Sequence, residues 1–145
     1  MPDSYATLTR DFKLMIDFFR FGLSCANAAG LYYGHGTDNP WDDMLALIFG
    51  SLSLPHDIDP ILLHAQLTQD EKRLLCKQLE RRVLSRVPTP YLTQEAYFCD
   101  LTFYIDERVL IPRSPIAELI KQQFSPWIAL EEVERVLDLC TGSGC

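Results

Sequence analysis

The stretch Arg135-Val136-Leu137-Asp138-Leu139-Cys140-Thr141-Gly142-Ser143-Gly144-Cys145, RVLDLCTGSGC, decides how the rest of the chain is read. Apolar residues around one Asp, followed by Gly-x-Gly, have the form of a parallel strand delivering the chain into a tight turn. Glycines in such a turn let the backbone approach a ligand, and the next helix would aim its N-terminal amides at that ligand. Residues 135–140 are therefore expected to form a buried strand, with a nucleotide-type cofactor site beginning at the turn. A strand followed by an ordinary turn is the other reading, because a lone Gly-x-Gly is a weak signal.

Working outward, Ser114-Pro115 is expected to cap a helix through Phe124, and residues 108–113 read as extended. Ala96-Tyr97-Phe98 and Leu101-Thr102-Phe103-Tyr104-Ile105 flank Cys99-Asp100. Their aromatic and β-branched content predicts a short β-hairpin. Val87-Pro88-Thr89-Pro90 must end any preceding helix, since two prolines so close cannot continue one, and a domain boundary is expected there.

Before that boundary the pattern is helical. Leu8, Phe12, Met15, Phe19, Leu23 and Ala26 recur at helical intervals and predict one amphipathic helix over residues 9–28. Gly30, Gly34 and Gly36 mark a loop over residues 30–38. Asn39-Pro40, with Asp42 and Asp43 behind it, has the form of a helix start. Asp59-Pro60 repeats the device before a short helix over 61–65. Thr68-Gln69-Asp70-Glu71 has capping-box spacing and opens a helix expected to reach about Arg86, with Leu75, Leu79 and Val83 as its apolar seam. This half reads as a small helical bundle without a motif that carries chemistry.

Composition bounds the function. Hydrophobic residues make up 48% and charged residues 23% of the 145, as in an ordinary globular protein. A net charge of -7 argues against broad binding to DNA or other nucleic acid. Six of the 13 bases nevertheless fall in one predicted helix: Lys72, Arg73, Lys77, Arg81, Arg82 and Arg86. They read as a solvated face, with weak RNA contact as the alternative. The five cysteines are scattered without a CxxC pair and the three histidines share no ligand spacing, so no disulfide framework and no metal site are expected. No apolar run approaches the roughly 20 residues that cross a bilayer, and MPDSYATLTRDF lacks the parts of a secretory signal, so no membrane association and a cytoplasmic setting are expected.

Longer strings carry more information than these patterns. Phe103-Tyr104-Ile105-Asp106-Glu107-Arg108-Val109-Leu110-Ile111-Pro112-Arg113-Ser114-Pro115-Ile116-Ala117-Glu118-Leu119-Ile120 resembles the linker of the glutamine side-chain methyltransferases, the HemK/PrmC family. Arg86-Val87-Pro88-Thr89-Pro90-Tyr91-Leu92-Thr93 is similar to the segment entering that family's hairpin. Asn27-Ala28-Ala29-Gly30-Leu31-Tyr32-Tyr33-Gly34-His35-Gly36-Thr37-Asp38-Asn39 resembles the PrmB branch, which modifies a large-subunit ribosomal protein. The sister branch acts on peptide release factors and usually has Pro-Glu-Thr where this chain has Ser114-Pro115-Ile116.

The resemblance implies a fold and a chemistry. The chain would be mainly α: a helical substrate-recognition domain over 1–87, a hairpin and linker helix over 88–134, and at 135–145 the start of a doubly wound α/β methyltransferase domain, cut just inside it. S-adenosylmethionine would lie on Asp138, Cys140, Thr141, Gly142, Ser143 and Gly144, with Arg113 of the Pro-Arg linker nearby. Many relatives have Gly at the position of Cys140. The family positions a glutamine amide with an Asn-Pro-Pro-Tyr segment; none occurs here, so no catalytic residue is assigned and the chain alone is expected to be inactive and to hold the cofactor poorly. The expected partner is a large-subunit ribosomal protein or its ribosomal precursor. The residues themselves leave three alternatives: a release-factor methyltransferase, a free-standing helical interaction module and a dinucleotide oxidoreductase.

Overall fold

The computed structural model describes residues 5–145. Residues 1–4 of the first expected domain, and the side chain of Leu8, lie outside the described residues. A short helix α1, Tyr5–Leu8, comes first, and α2 runs Met15–Ala28. The single helix expected over 9–28 is thus corrected to start at Met15. Non-local hydrogen bonds explain the break. The Met15 amide donates to Ala65 O at 3.2 Å and the Leu67 amide to Lys13 O at 2.9 Å, holding 13–15 extended. The Asp17 carboxylate accepts the Leu14 and Lys13 amides at 2.9 and 3.0 Å and so caps α2 from within. Those two amides hold the Asp17 carboxyl below its ordinary range, the Leu14 bond contributing most.

The next helix starts where its local signals put it. Asn39 Oδ1 accepts the Asp42 amide at 2.9 Å, and Pro40 opens α3, Pro40–Ser51. Asp59 Oδ1 accepts the Ile61 amide at 2.9 Å, but the expected helix is a 3-10 turn, Pro60–His64, closed by i→i+3 bonds such as Ala65 N to Leu62 O. Thr68 and Glu71 form the capping box of α4, Gln69–Val83. This helix stops before the expected Arg86, which has φ 56. A further short helix, α5, Thr89–Thr93, follows at once; Pro90 fits its first turn, where a missing amide costs nothing.

These helices share one core. Phe18, Met44, Leu47, Ile48, Leu75 and Leu79 have no exposed surface. Gly22 makes close packing possible: a Cβ there would sit 2.7 Å from Leu79 Cδ2 and 2.9 Å from Met44 Sδ. Leu75, Leu79 and Val83 are buried as their spacing predicts, whereas Leu23 is only half-buried.

The hairpin forms as expected. Strands β1, Glu95–Phe98, and β2, Leu101–Tyr104, pair antiparallel, with Glu95 opposite Tyr104 and Tyr97 opposite Thr102. Both turn residues are left-handed, Cys99 at φ 50 and Asp100 at φ 65, the geometry whose twist matches paired strands. Behind one face, Ala96, Ile105 and Ile111 form a second small core with Tyr91 and Val109, and the Tyr91 hydroxyl donates to Val109 O at 2.7 Å. Arg108 lies in a turn closed by Val109 N to Asp106 O, a correction to the extended reading of 108–113.

Helix α6, Ile116–Lys121, ends before the expected Phe124, because Gln123 and Phe124 turn left-handed at φ 53 and 57. Lys121 Nζ lies 2.8 Å from Asp100 Oδ2, tying this helix to the hairpin turn. Residues 135–140 correct the strand expectation. They form no strand, and Val136 and Leu137 are 87% and 79% exposed. A strand acquires its hydrogen bonds only from a neighbour, and none lies beside this segment among the described residues. The described chain is mainly helical with a two-stranded antiparallel sheet.

Candidate functional site

The glycine turn is sharply curved. Cys140, Gly142 and Gly144 have φ 61, 60 and 83, and the Gly144 amide donates to Thr141 O at 2.9 Å. A non-glycine residue at φ 61 costs roughly 1 kcal/mol or more, so Cys140 occupies a position where glycine is easier. Asp138 and Thr141 are exposed, linked through Thr141 Oγ1 to Asp138 O at 3.5 Å.

Gly142 and Ser143 face the end of the hairpin across a cleft of about 460 Å³, whose other wall includes Asp106 and Arg108. Arg108 grips both oxygens of Asp106, its Nε at 2.9 and 3.1 Å and its Nη2 at 2.6 Å. That guanidinium, then the Arg108 amide, hold the Asp106 carboxyl down at about 2. The cleft joins Gly142 and Ser143 to the hairpin but leaves out Asp138, Cys140 and Arg113. Arg113 lies elsewhere: its Nη1 donates to Gly34 O at 3.4 Å, in the loop over 34–38. As a cradle for S-adenosylmethionine these residues fit in one respect only. The left-handed backbone suits a turn that presents amides to an anionic or polar ligand, while the wall opposite Gly142 and Ser143 is the hairpin end with Asp106 and Arg108.

The basic helix divides. Arg82 is buried, with Nε 2.7 Å from Asp43 Oδ2, so its place on a solvated or RNA-facing surface is corrected. Its Nη2 donates to Tyr32 O at 3.4 Å, and its guanidinium lies 5.7 Å from the Tyr33 ring centre. Arg86 donates to Ala29 O at 3.0 Å, Arg81 lies 3.9 Å from Glu107, and Arg73 pairs with Asp70. Lys72, Arg73 and Lys77 remain together, lining a shallow hollow of about 330 Å³ with Arg10.

The Asp43–Arg82 pair is the centre of a network that sequence reasoning missed. Asp43 Oδ1 accepts the Thr89 hydroxyl at 2.9 Å and the Thr37 hydroxyl at 3.3 Å. One buried carboxylate thereby joins α3, α4, α5 and the 34–38 loop. Burial, then the neighbouring Asp43 carboxylate, push the Tyr33 phenol above its ordinary range. The one available signal was periodic: Asp43 stands four residues before the buried Leu47, on the face of α3 that meets the core.

The hairpin, Pro112-Arg113 and the glycine turn follow one another along the chain in this order. No protein-family model matches the chain. It is 49% identical over 140 residues to the ribosomal protein uL3 glutamine methyltransferase of Xanthomonas campestris pv. campestris, covering 97% of this chain and 46% of that protein. It is 44% identical over 130 residues to the protein of the same name in Francisella tularensis subsp. tularensis, covering 89% of this chain and 41% of that protein. The chain is a partial homologue of the ribosomal protein uL3 glutamine methyltransferases, and spans less than half the length of these relatives.

Proposed function

We propose that the chain is the substrate-recognition and linker part of an enzyme that methylates a glutamine side chain of ribosomal protein uL3. The observation that carries this is the 49% identity over 140 residues, 97% of the chain. In the proposed division, residues 1–87 recognise the partner, 88–134 connect, and 135–145 begin the cofactor-binding part. The proposed setting is the cytoplasm. No helix among the described residues is long and apolar enough to cross a membrane.

S-adenosylmethionine, when bound, supplies an electrophilic sulfonium methyl group. The chemical difficulty lies with the acceptor, an amide nitrogen whose lone pair is delocalised into its carbonyl. Such a reaction gains most from position and polarity, so accurate docking of the partner is itself catalytic work. This chain contributes that docking, and the turn at Gly142 and Ser143 contributes backbone amides. With no Asn-Pro-Pro-Tyr segment in its 145 residues, the chain alone is expected to transfer nothing. Lys72, Arg73 and Lys77, beside Arg10, add a weak RNA contact when uL3 is presented on its ribosomal precursor.

The test is mass spectrometry of uL3 and of the release factors from cells lacking the gene. Loss of one methyl group from a uL3 glutamine, restored by the complete gene and not by these 145 residues, is the expected result. Loss from a release factor instead would move the substrate to the sister branch, and no loss from either would refute the reading. A helical interaction module is the second reading, favoured by the closure of the main core within residues 5–92. Unchanged uL3 methylation beside a folded, partner-binding chain would select it.

A further inference from the structure

Three hollows meet at His56. The largest, about 850 Å³, separates the loop after α3 from the hairpin; smaller ones of about 50 and 290 Å³ continue from it to Gly36 and Thr37. Together they make one groove leading from the hairpin to the 34–38 loop.

Its hairpin wall is an unpartnered sheet face. Glu95 lies opposite Tyr104 and Tyr97 opposite Thr102, so all four project to the side away from the small core of Ala96 and Ile105. Tyr97 and Tyr104 are 51% and 62% exposed. The His56 ring meets Tyr97 edge-on with centroids 5.0 Å apart, which fixes the junction of the three hollows. Asp42, Asp57 and Glu95 line the groove, and no Lys or Arg lines any part of it. None of these three carboxylates has a cationic side chain within 4.0 Å among the described residues.

We propose that this groove is the docking site for an extended, lysine- and arginine-bearing segment of the protein partner. Exposed tyrosine faces attract ammonium and guanidinium groups, and unpaired carboxylates attract them from further away. The same charges repel nucleic acid phosphates, which separates this surface from the basic hollow on α4. The size suits a polypeptide strand: a groove of this volume admits several side chains, and the sheet face supplies sites at alternate positions. The inference deepens the methyltransferase reading and rests on it for the partner, since a protein that packs against ribosomal RNA carries Lys and Arg to neutralise phosphates.

The experiment uses the 145-residue chain and fluorescein-labelled extended peptides of one scaffold, carrying alternating lysines in one version and glutamates in the other. Fluorescence anisotropy should detect binding of the lysine peptide only, weakening as salt rises. The Asp57→Lys/Glu95→Lys variant should lose about tenfold in affinity, and Tyr97→Ala/Tyr104→Ala about fivefold with a similar salt dependence. Circular dichroism confirms that each variant is folded, and Lys72→Glu/Lys77→Glu should bind the peptide at least as well as the unaltered chain. Amide shifts on peptide addition should centre on residues 53–57 and 95–104. Equal binding of both peptides, preference for a labelled RNA oligonucleotide in that groove, shifts centred on α4, or folded reversal variants with unchanged affinity would each overturn the proposal. Peptide docking that survives a negative uL3 result keeps the groove and removes the enzyme reading; normal uL3 methylation with no groove effect does the converse.

Discussion

Replacing Asp43 by Ala should cost more stability than any surface change, for reasons that can be read from its partners. Its carboxylate takes the Arg82 Nε at 2.7 Å and the Thr89 and Thr37 hydroxyls at 2.9 and 3.3 Å, with the Asp43 and Arg82 side chains 4% and 6% exposed. Without it the guanidinium keeps one long bond, to Tyr32 O at 3.4 Å, and the nearby Tyr33 ring. A buried ion pair broken from one side costs about 3–5 kcal/mol, because the charge left behind is uncompensated. Against a typical total of about 5–15 kcal/mol, that is enough to unfold a marginal domain. The intact pair is a different matter. Replacing both members by apolar residues removes the charges together, so Asp43→Leu/Arg82→Met should lie at least about 2 kcal/mol above the sum of its singles.

Urea unfolding followed by tryptophan fluorescence measures these differences. Trp41 is the reporter, since its ring stands edge-on to Phe19 with centroids 4.6 Å apart and must lose that contact on unfolding. The same change should loosen the glycine loop, because Thr37 accepts the Gly34 amide on its carbonyl at 2.7 Å and is held to Asp43 through its hydroxyl. Gly34 should then exchange its amide hydrogen faster under conditions where the core amides do not. Asp43→Ala costing under about 1 kcal/mol with an unchanged denaturant slope, or a strictly additive double variant, would refute the reasoning.

Two further outcomes follow from single sites. Asp106 should titrate at about 2 in carboxyl NMR, and Arg108→Ala should return it toward the ordinary 3.8. A depressed folded-state value means that its contribution to stability is complete above 3.8 and vanishes as pH falls through about 2; a titration unchanged by Arg108→Ala would contradict this cause. Gly50→Ala should destabilise by about 1–2 kcal/mol, overpacking outweighing the helix-propensity gain, since the new Cβ would meet Thr93 Cγ2 at 2.5 Å. Thermal melts check it, and the same change in a Thr93→Ser background should cost less.

What was legible in the chain was what is decided locally. Asn39-Pro40 and Thr68 to Glu71 set their helix starts because cap and capped amide are three residues apart. The hairpin was legible for the same reason. The start of α2 was not, because Lys13 and Met15 answer to Ala65 and Leu67, far along the chain. Arg82 was misplaced because one charge in a basic helix looks like its neighbours. Its distant partners distinguish it: Asp43, 39 residues away, and Tyr32, 50 residues away. The tail fails by the same physics: its apolar pattern is that of a strand, yet a strand needs neighbours to become one.

The candidate site divides along this line too. The glycine turn could be named from its residues, since positive φ at Gly142 and Gly144 is a local property. Its place beside Asp106 and Arg108 could not, nor could the bond from Arg113 to Gly34, which ties the Pro-Arg linker to the 34–38 loop. The Arg113 guanidinium relates the position of the linker to the loop that Asp43 and Thr37 secure. Local motifs can be read from neighbouring residues, whereas long-range polar contacts such as Arg82 to Asp43 and Arg113 to Gly34 appear only in the fold.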